Sequence, residues 1–99
     1  MAHFFIAQYE VKNPALYGEY QGGAGPTLAQ YGGELVAFDV GAETIEGSAP
    51  GPQTVVIKFE SADAAKRWYN SPEYQAVVGK RLEATSGYAV LSADMNTGA

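Results

Sequence analysis

The run Trp68-Tyr69-Asn70-Ser71-Pro72-Glu73-Tyr74-Gln75 predicts a break between two helical segments. Because Pro72 has no N–H and disfavours helix at the residue before it, the first segment, which begins after an N-cap at Ser61, is expected to end near Asn70. Ser71 is then suited to cap the second segment, with the proline at its first position, where the missing N–H costs little. The run therefore decides how the C-terminal half of the chain folds.

Both helical segments carry an apolar stripe. The stripe of the second segment has the i, i+3, i+4, i+7, i+8 pattern of a core-facing surface and consists of Tyr74, Val77, Val78, Arg81 and Leu82. The stripe of the first segment consists of Ala62, Ala65, Trp68 and Tyr69. Gly87 is the expected end of the second helix.

Apolar residues in alternation predict four strands, at 3–11, 34–40, 54–60 and 87–94. One face of the first strand carries His3, Phe5, Ala7, Tyr9 and Val11. The other face starts with Phe4 and Ile6. In the second strand, one face is expected to hold Val36, Phe38 and Val40. The glycine- and proline-rich segment 41–53 is expected to be mostly loop, with room for a short edge strand at 43–46.

A first helix is expected to open at Asn13-Pro14 and to end at Gly32-Gly33. Its middle is interrupted by Gly22, Gly23, Gly25 and Pro26. Each glycine costs up to about 1 kcal/mol in a helix interior. We therefore expect a kink or a short unwound turn near residues 22–25.

The order of elements predicts a ferredoxin-like βαββαβ fold of the α+β class, with a four-stranded antiparallel sheet and two helices on one face. We expect one domain over residues 1–95 and a flexible tail at 96–99. The other sheet face is left with apolar side chains from the first, third and fourth strands. A two-fold homodimer with these sheet faces turned towards each other is the simplest way to cover them.

Composition excludes several classes of function. A net charge of −5 without a basic run argues against binding nucleic acid or an anionic membrane surface, and no apolar segment approaches the length of a membrane span. The start of the chain lacks the cationic residues of a signal peptide. The absence of cysteine excludes disulfides and thiolate sites and fits a cytoplasmic location.

The sequence resembles the DUF1330 family of small bacterial domains over nearly its whole length. The most specific part of the resemblance is Trp68-Tyr69-Asn70-Ser71-Pro72-Glu73-Tyr74. Supporting pieces are Asn13-Pro14 with Tyr17 and Tyr20, then Pro26, Leu28 and Tyr31-Gly32-Gly33, then Glu46-Gly47, Val55-Val56-Ile57, Phe59 and Arg81. The resemblance implies a ferredoxin-like subunit in a dimeric α/β barrel and supplies no function. Many members carry Arg-Gly-Gly at the end of the second strand, where this chain has Phe38-Asp39-Val40, so an anion contact made by that arginine would be missing here.

The candidate catalytic residues are His3, Arg81 and Tyr20. His3 is the only histidine, and histidine has the ordinary pKa best suited to proton transfer near neutrality, but a residue near the surface at a strand start is the simpler interpretation. An arginine on an apolar stripe predicts either a guanidinium that binds a carboxylate in a pocket or an ion pair with Glu73 or Glu46.

Around Arg81, the candidate ligand-binding residues are Tyr74, Asn70 and Trp68. Helix capping offers an alternative explanation for Asn70 and Ser71. The aromatic excess is typical of a core or an interface, or alternatively of a cavity for a small aromatic or polyketide-like molecule. This aromatic set comprises Trp68, Tyr69, Tyr74, Tyr17, Tyr20 and Tyr31.

Neither a metal nor a cofactor is expected. Glu34, Asp39, Glu43 and Glu46 show no metal-ligand spacing, and one histidine is too few for a typical transition-metal site. The run Gly22-Gly23-Ala24-Gly25-Pro26 matches no phosphate-loop pattern.

Two functions remain open. The first is a small homodimeric protein that binds a small hydrophobic or carboxylate-bearing molecule. The second is a cofactor-independent isomerase, cyclase or oxygenase acting on a small aromatic or polyketide-like acid, with Arg81 holding the carboxylate and His3 or a tyrosine moving protons.

Overall fold

The computed structural model of the protein describes residues 2–95, which form four strands and three helices. These elements are β1 (His3–Val11), α1 (Pro14–Tyr31), β2 (Glu34–Asp39), β3 (Gln53–Phe59), α2 (Ala62–Tyr69), α3 (Pro72–Ala84) and β4 (Thr85–Ala93). The strands pair antiparallel in the order β2-β3-β1-β4. This is the ferredoxin-like arrangement that the sequence predicts, with the second helix divided into α2 and α3. The tail predicted at 96–99 lies outside the described residues.

The break between α2 and α3 is confirmed. Ser61 Oγ accepts a hydrogen bond from the N–H of Ala64 at 3.0 Å and so caps α2. Ser71 Oγ accepts from the N–H of Tyr74 at 3.1 Å and donates to the carbonyl of Trp68 at 2.7 Å. One hydroxyl therefore joins the end of α2 to the start of α3.

The core lies between the sheet and the helices. The helix-facing side chains of the two central strands are buried, and they are Phe5, Ala7 and Tyr9 of β1 with Val55, Ile57 and Phe59 of β3. Trp68 fills the centre and donates from Nε1 to Thr27 Oγ1 at 2.9 Å, so its polar atom is satisfied.

Within residues 2–95, no helix covers the opposite side of the sheet. We call it the open face, and its larger side chains are Phe4, Ile6, Gln8, Val56, Tyr88 and Val90. Tyr88 and Val90 are each about half exposed, at 49% and 48%. The predicted uncovered apolar surface is therefore present in the single chain.

Helix α1 runs without interruption from Pro14 to Tyr31, so the unwound turn predicted near residues 22–25 is wrong. Gly23 serves packing instead. A Cβ at Gly23 would lie 2.5 Å from Cγ1 of Val77, which shows that α1 approaches α3 where no side chain intervenes. Contact with α3 outweighs the low helix propensity of the segment. The predicted end at Gly32 is confirmed, with φ of 76°.

Strand β2 does not alternate as predicted. A bulge between Leu35 and Ala37 shifts its register, so Leu35 pairs with Ile57 and Phe38 with Val55. Because these partners face the helices, Phe38 also lies on the helix side, while Val36 falls in the bulge. The strand ends at Asp39, which leaves Val40 outside it.

Three other expectations are wrong. Helix α3 ends at Ala84 and β4 begins at once with Thr85, so Gly87 is a strand residue rather than a helix terminator. A Cβ at Gly87 would collide with the backbone of β1, which explains the glycine. Leu82 is 60% exposed rather than buried, because its side of α3 faces away from the core. Residues 43–46 form no strand.

We expect Gly23→Ala to destabilise the protein and Gly22→Ala to stabilise it. Both changes raise helix propensity by up to about 1 kcal/mol. A Cβ at position 22 has nothing within 4 Å, whereas a Cβ at position 23 must displace the stiff side chain of Val77. Overpacking of this kind costs roughly 1–3 kcal/mol. Urea denaturation of the two variants measures the difference, and equal stabilisation of both would contradict close packing at Gly23.

A candidate binding groove at Arg81

Arg81 lies in the last turn of α3 and is 5% exposed. Its guanidinium carbon is 5.9 Å from the ring centroid of Phe5, 5.7 Å from that of Tyr9 and 6.0 Å from that of Tyr20. Aromatic rings attract a cation at this range, more strongly when water is excluded. The arginine is therefore held by ring faces on β1 and α1.

No carboxylate of residues 2–95 forms an ion pair with Arg81. The ion pair within this part of the chain joins Lys80 Nζ to Glu19 Oε1 at 3.4 Å. Glu73 instead accepts hydrogen bonds from the Tyr31 hydroxyl at 2.8 Å and from Gln30 Nε2 at 3.2 Å. The internal ion pair considered as an alternative for Arg81 is thus not formed with Glu73 in the single chain.

The guanidinium keeps its charge and has unused donors. Its Nε is buried and lacks a hydrogen-bond partner among the described residues. Burial lowers the pKa of Arg81, but the surrounding tyrosines, led by Tyr74, outweigh burial and raise the pKa overall. A buried cation without an anion is costly, so the geometry leaves a place for one.

Two hydroxyl pairs surround this cation. The hydroxyls of Tyr20 and Tyr74 are 2.8 Å apart, and those of Tyr9 and Tyr17 are 2.7 Å apart. Gln53 Nε2 donates to the Tyr17 hydroxyl at 3.2 Å. Burial is the main cause that raises the pKa of Tyr9, Tyr20 and Tyr74 above the ordinary value. These tyrosines are therefore neutral phenols near pH 7.

The Arg81 groove is a partly open hollow of about 380 Å³ between α3 and β4. It exists because the helix-facing positions of β4 here are the small residues Gly87 and Ala89. Its walls combine aromatic surface with hydroxyls, and they are formed by Tyr9, Tyr69, Arg81, Leu82 and residues 85–89. A second hollow of about 210 Å³ adjoins it and shares Tyr69 and Ala89. This combination of a cation, aromatic walls and hydroxyl groups suits a small organic anion.

The structure distributes the other candidate residues as follows. Tyr20 reaches Arg81 with its ring, and Tyr74 is fully buried behind it. Asn70 ends α2 and lines the adjoining hollow. Trp68 lies in the core, where Thr27 satisfies its indole N–H. His3 is absent from the lining of the groove and lies near the opposite end of β1, with a buried Nδ1 that has no hydrogen-bond partner among residues 2–95.

Sequence reasoning missed two contributors to the groove. The alternation of β1 places Tyr9 on one face of the strand and does not indicate that its ring contacts Arg81. The start of β4, Thr85–Tyr88, was assigned partly to the helix. A Gly–x–Ala pattern on one face of a strand is the signal that could have indicated space beside it.

Two further observations on residues 2–95 concern metal binding and membrane crossing. They contain no cluster of three or more histidine or acidic side chains that could hold a metal ion. Within the same residues, each helix is too short or too polar to cross a membrane.

Comparison with known proteins places the chain in a family and a fold. The family described as Domain of unknown function (DUF1330) matches residues 2–95. A protein of unknown function from Rhodopseudomonas palustris superposes with a TM-score of 0.79 at 14% identity, over 96% of this chain and 83% of that chain. SnoaB, a cofactor-independent oxygenase from Streptomyces nogalater, superposes with a TM-score of 0.69 at 14% identity, over 98% of this chain and 96% of that chain.

A third solved structure is described as a dimeric protein of unknown function and ferredoxin-like fold from Bacteroides fragilis. Its TM-score is 0.58 at 15% identity, over 94% of both chains. No curated protein matches the sequence. At these identities the similarity to solved structures shows a shared fold.

We expect a double-mutant cycle to detect coupling between Tyr20 and Tyr74. Tyr20→Phe and Tyr74→Phe each leave one buried hydroxyl without its partner, which costs about 1–3 kcal/mol. The double variant removes both hydroxyls and should cost less than the sum of the single changes by about 0.5 kcal/mol or more. Urea denaturation measures all four proteins, and strict additivity would contradict the hydroxyl pair.

We expect stability to fall as pH rises above the ordinary tyrosine pKa of 10.0. The native pKa values of Tyr9 and Tyr20 are raised, so both phenols stay protonated in the folded state while they ionise in the unfolded state. Their contribution is complete below pH 10 and is lost above it. Tyr20→Phe should reduce the slope of unfolding free energy against pH by about 1.4 kcal/mol per pH unit. Denaturation between pH 8 and 11.5 measures the slope, and an unchanged slope would show that Tyr20 ionises normally.

Proposed function

The chain belongs to the DUF1330 family of domains of unknown function, and from this starting point we propose that it is a homodimeric protein that binds a small carboxylate-bearing molecule. The observation that carries the proposal is the buried side chain of Arg81, which lines the groove, has an unpartnered Nε and has no carboxylate partner within residues 2–95. Guanidinium donors match the geometry of a carboxylate and hold it in a fixed orientation.

The walls of the groove support a hydrophobic body on the bound acid. The rings of Tyr9 and Tyr69 and the side chain of Leu82 offer apolar contact beside the cation. The hydroxyl of Thr85 already donates to the carbonyl of Arg81 at 2.7 Å, which ties the end of α3 to the start of β4. A small acid with an apolar or aromatic portion fits this chemistry best.

Dimerisation is supported by the open face and by the fold. Apolar side chains of β1, β3 and β4 lie uncovered on the open face, and a neighbour with the same fold is described as dimeric. A second copy placed against this surface would remove its apolar side chains from water.

A cofactor-independent enzyme is the second candidate, since SnoaB shares the fold. In that case Arg81 would hold an aromatic or polyketide-like acid while another group transfers a proton. The raised pKa values of Tyr9 and Tyr20 argue against a phenolate base near neutrality, and His3 does not line the groove. Binding is therefore the better supported proposal.

Arg81→Met tests the binding function. We expect this variant to lose the binding of benzoate and hexanoate, used as aromatic and aliphatic carboxylate probes, while its stability stays equal or rises because a buried cation is removed. Lys80→Met is the matched control, since it removes one positive charge from the neighbouring position, which is exposed and outside the groove. Isothermal titration calorimetry measures affinity and urea denaturation measures stability.

Each outcome is informative. Loss of binding in Arg81→Met alone supports the proposal. Equal loss in both variants would indicate general attraction of anions to positive charge. If the unchanged protein binds neither probe, the proposal is contradicted. Unfolding of Arg81→Met would assign Arg81 a structural role.

A further inference from the structure

The Arg81 groove is incomplete in the single chain. One of its walls is β4, which is an edge strand of the sheet formed by residues 2–95. Leu82 and Tyr88 at its rim are 60% and 49% exposed. A groove walled by an edge strand is open towards whatever lies beside that edge.

The edge of β4 lacks the features that normally protect an edge strand. It is nine residues long, and its sequence Thr85–Ala93 contains neither a charged residue nor a proline. Proteins usually protect exposed edges with charges, prolines, bulges or short strands, because unpaired backbone groups invite another chain. The other edge strand, β2, is shorter and contains a bulge, Glu34 and Asp39. The edge of β4 is therefore suited to lie against a second chain.

The topology identifies the element of a second copy that would reach this edge. In the antiparallel order β2-β3-β1-β4, strands β2 and β4 run in opposite directions. When two open faces meet about a two-fold axis parallel to the strands, β4 of one copy lies beside β2 of the other copy, and these two strands are antiparallel.

The register locates the end of β2 at the groove. Asp39 pairs with Thr54, Thr54 with Gln8, and Gln8 with Tyr88, so the last residue of β2 is level with Tyr88. Residues 40–43, which follow β2, are therefore level with the first residues of β4, which line the groove.

We infer that the second copy completes the Arg81 groove, with residues 40–43 of each subunit closing the groove of the other. Val40 is 65% exposed and Leu82 is 60% exposed, and the described part of their own chain covers neither. Contact between them across the two copies would bury both and close the apolar side of the groove. This inference rests on the dimer and the carboxylate site proposed above, and it makes ligand binding and dimerisation interdependent.

Paired cysteines test the closure, because the chain contains no cysteine of its own. We expect Gly41→Cys/Ser86→Cys to form a covalent dimer under mild oxidation, because position 41 is level with Ser86 in this register and a Cβ there has nothing within 4 Å. Within one subunit these positions lie on opposite edges of the sheet, three strand spacings or about 14 Å apart. That separation exceeds the Cα–Cα limit of about 7 Å for a disulfide, so a bond must join two subunits.

Gly41→Cys/Ser92→Cys is the matched control. Ser92 lies in the same strand but six residues beyond Ser86, about 20 Å away. This variant should remain uncrosslinked. Sedimentation velocity of the unchanged protein first establishes whether it is a dimer.

The possible results distinguish the closure of the groove from the dimer and the carboxylate site proposed above. A dimer that crosslinks through position 86 and not through position 92 supports the closure. A dimer that crosslinks through position 92, or through neither position, overturns the closure and leaves the dimer intact. A monomer at all concentrations overturns both the dimer and the closure, while the carboxylate site is still judged by Arg81→Met.

Ligand linkage provides a second measurement. If the second copy completes the groove, saturating benzoate should tighten the dimer by about fivefold or more, since coupling between linked sites is typically of this size. The same benzoate should have no effect on Arg81→Met. The dimer dissociation constant of the protein without substitutions is measured by sedimentation, with and without benzoate at a concentration shown to saturate the protein. If benzoate leaves this constant the same, the second copy does not complete the site.

Discussion

The contact between Trp68 and Tyr74 across the helix break is the interaction on which the rest of the structure depends. Their ring centroids are 4.1 Å apart, although the two residues belong to different helices. The Ser71 hydroxyl bonds to both helices and fixes the angle at which these rings meet. Trp68 also contacts Phe5 and Phe59 on the sheet, at centroid distances of 5.2 and 5.3 Å. The break thus orients α3 so that its following turns, including Arg81, lie over the start of β4.

As a result, a guanidinium and several phenol hydroxyls are buried together. The phenols around Arg81 satisfy each other in pairs and present ring faces to the cation, which lowers the cost of removing it from water. A leucine or methionine at position 81 would be a simpler solution for a helix that only needs to pack. The anion binding proposed above would account for an arginine among these neutral phenols.

Much of this arrangement could be predicted from the sequence, because it depends on local rules. The caps at Ser61 and Ser71, the proline at position 72 and the alternation of β1 are short-range signals, and they predicted the break and the buried face of the sheet. The continuity of α1 could not be predicted in this way, because contact with Val77 decides it. The groove required knowing which strand lies beside α3. Arg81 was therefore recognised as a candidate, whereas Tyr9 and the start of β4 were not.

The bulge in β2 changes which residues of the strand face the helices and which face the open side of the sheet. Because Val36 is an extra residue, the residues after it face the side opposite to the one that regular alternation would give them. The aromatic ring of Phe38 therefore lies towards the helices and the small Ala37 lies on the open face. Hydrophobicity of that face is consequently graded, from aromatic and branched side chains on β4 to small and acidic ones on β2. Loss of Val36 would remove the bulge and restore regular alternation. Leu35, Ala37 and Phe38 would keep their present sides, because their partners on β3 are already consecutive residues.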